Sequence, residues 1–302
     1  MNFFRKKETL VQNMTFMALM AALNVIFSLL SVLLPALFFL LIFVLPLTST
    51  LVCIFCKKRY YGIYAVATIG LCLLINFYQI TEVISYVIPS IVTGLIFGVM
   101  IEHKVNSFWI ILAASVIQAG FTYLSIFITG LFIERNILEE ILTLFGLAEF
   151  GFKEYIVSMF LFITSLIQIA ITYLIIREEI KKMGVETNEE APSIPILCII
   201  VLGLVVATIG VSFLYGPVAF LLFGFTIVIG TYLVAYSFSL KKKVLYILAG
   251  VSLITTILAF TLFDYILVPN GIYLLDVFFV QEAIIMFSNN YLEKNANKDK
   301  ME

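Results

Sequence analysis

Ionisable side chains are scarce in this chain: Asp, Glu, Lys and Arg make up only 12% of 302 residues, and His103 is the single histidine. Soluble domains carry about a quarter charged residues, so a soluble globular domain is excluded. One histidine cannot build a histidine-rich metal site. Four cysteines, Cys53, Cys56, Cys72 and Cys198, all lie in or beside apolar runs. Cys53 and Cys56 have a redox- or zinc-like spacing, but no second pair follows, so membrane packing is the expected role. The chain has no G-x-x-x-x-G-K-[ST] phosphate loop, no H-E-x-x-H and no G-x-S-x-G elbow. Hydrolysis of ATP by the chain itself, zincin chemistry and a serine nucleophile are therefore not expected. The reading is of a protein that is not an enzyme, with no catalytic residue, no cofactor, no metal and no nucleic-acid partner.

What is present is apolar. Hydrophobic residues reach 63% and the mean hydropathy is +1.13. In lipid each backbone N–H and C=O must be satisfied within its own segment, so long apolar runs are read as helices. The predicted fold is an all-α, polytopic integral membrane helix bundle of about ten transmembrane helices. Leu10–Leu34 is the first span; Arg5, Lys6 and Lys7 before it place the N-terminus in the cytoplasm. It is too long for a signal-peptide core and is expected to be retained. The others are Ala36–Phe55, Tyr61–Tyr78, Val83–Ile101, Phe108–Ile133, Tyr155–Ile176, Ile194–Leu214, Val218–Leu240, Val244–Phe263 and Ile272–Phe287. A hydrophilic stretch from Arg177 to Ser193 divides six spans from four. The domains are accordingly 1–182, a cytoplasmic linker at 183–193, and 194–302. Alternate loops support this count: 16 of the 18 Lys and Arg fall on one side, with only Arg135 and Lys153 on the other. That arrangement puts both termini in the cytoplasm and the protein in a cell (cytoplasmic) membrane.

Polar residues inside the spans are the candidates for function. Asn24, Gln118 and Gln168 fall near the middle of spans one, five and six, where an amide must find a protein or ligand partner. They either line one cavity or bond between helices. Asn76, Gln79, Glu82 and Tyr86 cluster around the outer link between spans three and four, as a substrate contact or as solvated loop. The last span carries Asp276, Gln281 and Glu282. Entry near Gly271 would put Asp276 about 7 Å deep and Glu282 about 16 Å, near the midplane. Such acids are expected to handle an ion, a proton or a substrate, unless the span begins later and leaves Asp276 among headgroups. In the external loop, Asn136 and Glu139 resemble a capping box opening an amphipathic helix over Ile137–Phe145, either a lid or an interfacial connector. Ala18 and Ala22, and Gly94 and Gly98, are small residues four apart that admit a second helix.

These residues resemble a known family. Residues 1–182, with a basic N-terminus and Met17-Ala18-Leu19-Met20-Ala21-Ala22-Leu23, are similar to the six-helix substrate-binding (S) components of energy-coupling factor vitamin transporters, whose A-x-x-x-A docking motif Ala18 and Ala22 match. Pro89-Ser90 followed by Gly94 and Gly98 is also in that family's style. The whole chain resembles the YybS-like predicted membrane proteins, which join an S-component-like half to further spans; Gly224–Leu240 with Lys241-Lys242-Lys243, and Leu274-Leu275-Asp276, carry that likeness. Where that family continues with a basic residue, this chain has Glu282. The resemblance implies a small solute bound from the outer side by the six-span half, Ala18 and Ala22 facing a coupling subunit, and energy from separate ATPases. Asn24, Asn76, Glu82, Gln118 and Gln168 are the expected solute contacts. Asp276 and Glu282 are the expected ion- or proton-linked groups. The rival readings are a non-transport membrane scaffold and a cation-coupled permease using the acids of the last span.

Overall fold

The computed structural model describes residues 4–34, 38–77, 80, 83–133, 137–144, 153–188, 190–263, 273 and 275–298. Among them there are helices and turns but no strand. Eleven α-helices follow one another: α1 (Leu10–Leu33), α2 (Phe38–Phe55), α3 (Tyr61–Ile75), α4 (Ile88–Glu102), α5 (Ser107–Ile133), α6 (Ile137–Leu144), α7 (Lys153–Lys182), α8 (Ile194–Ser212), α9 (Gly216–Ser239), α10 (Lys243–Phe263) and α11 (Asp276–Lys298). A π-helical turn over Val83–Val87 leads into α4.

Among the described residues, five helical stretches are long and apolar enough to cross a membrane: Leu10–Leu30, Ser107–Leu131, Met159–Lys182, Ile194–Ser212 and Gly216–Ser239. Their exposed apolar side chains, such as Val206 and Ile199 on α8, fit contact with a lipid bilayer. Ten spans are not confirmed; three shorter apolar helices, Phe43–Phe55, Ile88–Glu102 and Lys243–Leu258, stand beside the five. α3 and α4 have 15 residues each, about 22 Å at 1.5 Å per residue, against a hydrocarbon layer of about 30 Å. α11 begins at Asp276, later than the expected Ile272, and runs on through a polar end to Lys298.

The chain clusters into two compact units, residues 1–148 with 161–191, and residues 149–160 with 192–302. In the first, α2 packs against α1 and α4, α1 against α3, and α4 against α5. A capping box opens α1: Thr9 Oγ1 accepts from Gln12 N at 3.3 Å while Gln12 Oε1 accepts from Thr9 N at 3.4 Å. Asn13, fully buried, ties that end to the end of α2. Its Nδ2 donates to Thr9 O at 2.7 Å, and its Oδ1 accepts from Lys57 N at 2.8 Å.

The contact between α2 and α4 depends on glycine. A Cβ placed on Gly94 would lie 2.3 Å from Ser49 Cβ, and one on Gly98 would lie 2.4 Å from Cys53 Cβ. The two glycines, one helical turn apart, are the groove into which Pro46, Ser49, Thr50 and Cys53 fit. α2 passes through Pro46 without interruption, and Thr50 Oγ1 donates to Pro46 O at 2.7 Å.

The hydrophilic stretch is more ordered than a linker reading implies. Residues 177–182 complete α7, and beyond them the segment docks on the turn between α4 and α5. Ser107 N donates to Asn188 O at 3.3 Å and Asn188 Nδ2 to Lys104 O at 3.1 Å. Asn106 Nδ2 donates to Glu190 O, and Lys104 Nζ pairs with Glu186 at 2.9 Å. α6 is the short helix expected in the external loop, with Leu142 buried and Glu139 and Glu140 exposed. Its Asn136 cap lies outside the described residues.

In the second unit α9 packs on α8, and α11 packs on α8, α9 and α10. Phe220 and Phe223 enclose Tyr273, and the Phe279 ring occupies the place where a Gly230 side chain would be.

Gly94→Ala should destabilise the fold by about 1–3 kcal/mol, because helix backbones and not flexible side-chain ends must move. Gly62→Ala, at a glycine with open space around it, should be neutral or slightly stabilising. Reversible unfolding in detergent micelles compares the two; equal effects would contradict the packing described.

Candidate functional site

Along α3 and its C-cap, Tyr64, Thr68, Cys72 and Asn76 recur every four residues, so they share one face, and all four are buried. They meet Asn24 and Ser28 of α1, themselves four apart. Asn24 Nδ2 donates to Tyr64 Oη at 2.8 Å, and Thr48 Oγ1 of α2 donates to Asn24 Oδ1. Ser49 Oγ lies 3.1 Å from the same Tyr64 hydroxyl. Asn76 Nδ2 donates to Ser28 Oγ at 2.7 Å, while its Oδ1 has no partner among the described residues. The result is a polar seam joining α1, α2 and α3 through an apolar interior.

Gln118 serves a different contact, its Oε1 accepting from Thr93 Oγ1 at 3.2 Å between α4 and α5. Gln168 is half-buried, and its backbone carbonyl accepts from Thr172. Glu82 and Gln79 lie outside the described residues. The structure therefore joins Asn24 and Asn76 on one seam and gives Gln118 a separate partner. Interhelical bonding accounts for Asn24 and Gln118. Tyr64, the hub of the seam, escaped the sequence reading; the four-residue polar repeat along α3 was the signal for it. Ala18 and Ala22 are both exposed on one face of α1.

The second unit holds charge of another kind. Asp276 and Glu282 are each 1% exposed. Asp276 sits in the first turn of α11, where the helix dipole favours an acid, yet both its carboxyl oxygens lack a hydrogen-bond partner among the described residues. Glu282 is six residues on, about 9 Å along the axis and about 120° around it, so the two are not a dyad. Its Oε1 also lacks a partner. Beside its carboxyl stands Ser252 of α10, whose hydroxyl donates to Leu248 O at 3.0 Å. A serine hydroxyl both donates and accepts, so Ser252 can donate to an ionised Glu282 carboxyl or accept from a protonated one. Thr256 is buried there too, donating to Ser252 O at 2.8 Å, and Thr255 Oγ1 donates to Gln281 Oε1 at 2.7 Å. No Lys or Arg pairs with either acid among the described residues. No cluster of three His, Cys, Asp or Glu suited to a metal occurs among them either.

No family model, no curated protein and no solved structure matches this chain. The likeness to S components and YybS-like proteins thus rests on the residues quoted above. The five apolar helical stretches are compatible with an integral membrane protein.

Removing the Tyr64 hydroxyl should leave the Asn24 amide short of a partner inside the bundle. Tyr64→Phe is expected to cost about 1–2 kcal/mol. In an Asn24→Leu background most of that cost should vanish. A double-mutant cycle without coupling would contradict the seam.

Proposed function

We propose that this chain is a multi-pass protein of a cell membrane, of transport type, in which Asp276 and Glu282 bind a proton or a monovalent cation as part of moving a small solute. The observation that carries the reading is the pair of buried carboxyls on α11, with oxygens that have no hydrogen-bond partner and no ion pair among the described residues. A bare anion near the middle of a bilayer costs about 2.5–3.5 kcal/mol or more, and acids in such places serve ion or proton pathways. The hydroxyl of Ser252 beside Glu282 can accept from a protonated carboxyl and donate to an ionised one, which fits a carboxyl that alternates between its protonated and cation-bound forms. On this reading the chain performs no hydrolysis of its own, the termini are cytoplasmic, and ten segments, including the shorter helices and the first part of α11, lie in the membrane.

Purified protein in liposomes loaded with a pH-sensitive dye should exchange protons when a sodium or potassium gradient is imposed, and Glu282→Gln should abolish that exchange while leaving the protein folded. Exchange unaffected by Glu282→Gln, or absent from the wild type, would refute the reading and favour a scaffold.

A second reading, the S-component-like one, is supported by the exposure of Ala18 and Ala22 on one face of α1. In it the six-span half binds a neutral or cationic solute and docks a transmembrane coupling subunit driven by separate ATPases. Mild-detergent purification with mass spectrometry should then recover an ATPase module that Ala18→Trp loses; recovery unchanged by Ala18→Trp would refute it.

A further inference from the structure

At one end of the first unit, the N-terminal segment, the ends of α2 and α4 and the residues after α7 enclose an open cavity of about 470 Å³. Its inner wall is apolar: the Phe4 ring lies tilted against Phe55, centroids 5.9 Å apart, with Ile101 and Val185 also lining it. Its rim is charged by Arg5, Lys6, Lys104, Glu102 and Glu186.

The carboxylates do not neutralise the rim. Glu102 holds two ammonium groups, Lys6 at 2.7 Å and Lys58 at 2.8 Å, and Glu186 holds Lys104 at 2.9 Å. Arg5 has no ion pair among the described residues. On the rim three cations, Arg5, Lys6 and Lys104, stand against two carboxylates, and one of these, Glu102, also takes Lys58 from outside the lining. The bonds from Lys58 and Lys6 hold the Glu102 carboxyl below the usual carboxylate range, and Lys104 does the same for Glu186, so both stay ionised near neutral pH. Each lysine has three N–H donors, of which its carboxylate takes only part, and the Arg5 guanidinium has five. Glu102 thereby keeps two ammonium groups side by side with donors to spare. Arginine presents a planar fork that matches phosphate oxygens.

We infer that this cavity binds a phosphate-bearing amphiphile, its phosphate held by Arg5, Lys6 and Lys104 and its apolar portion lying along the Phe4–Phe55 wall. The spanning arrangement proposed above favours an anionic phospholipid as the source, because helix ends lie at headgroup depth and the cationic loops face the anionic leaflet. The inference uses that arrangement but not the ion-handling role of α11.

The full-length protein is reconstituted in phosphatidylcholine nanodiscs with and without phosphatidylglycerol, and after extraction into mild detergent retained lipid is read by native mass spectrometry. One retained phosphatidylglycerol is expected on the wild type and on Arg5→Lys, with occupancy about tenfold lower in Arg5→Gln, a loss of about 1.4 kcal/mol. Because Arg5 bonds no other described side chain, Arg5→Gln should remain monodisperse. In parallel, inorganic phosphate is added to protein purified from phosphatidylcholine alone, and thermal unfolding is followed. Protection by phosphate that Arg5→Gln removes, without lipid retention, would support the phosphate site and assign it a soluble ligand. Equal phosphatidylglycerol retention on wild type and Arg5→Gln, or neither effect, would overturn the inference.

Discussion

A polar group sealed in an apolar interior must find a partner or carry a cost, and this constraint sorts the polar residues of the chain. Asn24, Asn13 and Gln118 meet it with hydrogen bonds to other helices or helix ends. They act as joints, fixing which faces of α1, α2, α3, α4 and α5 meet where apolar contacts alone would allow sliding. Among the described residues, both carboxyl oxygens of Asp276 and Oε1 of Glu282 do not meet it. That contrast, more than the identity of the residues, sets the acids of the last helix apart from the amides of the first unit.

Close packing provides the second level of specificity. The Gly94 and Gly98 groove brings α4 against α2 around Ser49, whose hydroxyl also reaches Tyr64. The tightest helix contact in the first unit and its polar seam are therefore adjoining parts of one arrangement. A change in either should be felt in the other. In the second unit, Gly230 and Phe279 set the approach of α9 to α11 and so the position of the helix that carries both acids.

Much of the fold was legible because apolar runs with charged ends are strong signals. The helices at Ser107–Ile133, Ile194–Ser212 and Gly216–Ser239 begin and end within two residues of the runs read from the sequence. The count of ten was less secure. α3 and α4 are short, and hydropathy does not distinguish a short helix inside a bundle from a full crossing. α11 starts at Asp276, with Tyr273 and Leu275 ahead of it in 3-10 conformation, a distinction that composition does not reveal. The partners of the buried amides were not legible at all. Asn24 meets Tyr64 from 40 positions away, and no local pattern in a single sequence specifies such a pairing. The docking of Asn188 on Asn106 and Lys104 was hidden for the same reason, since a run rich in glutamate reads as solvated whether or not its backbone is held.

In the proposed function the α11 carboxyls change their protonation or cation-bound state. Infrared difference spectroscopy of the full-length protein in lipid, recorded across a step in pH and again on adding sodium or potassium, observes this directly. The account predicts a protonated-carboxyl C=O band that changes with the step and is diminished in Glu282→Gln and in Asp276→Asn. A spectrum with no such band, or one the two substitutions leave intact, would contradict it.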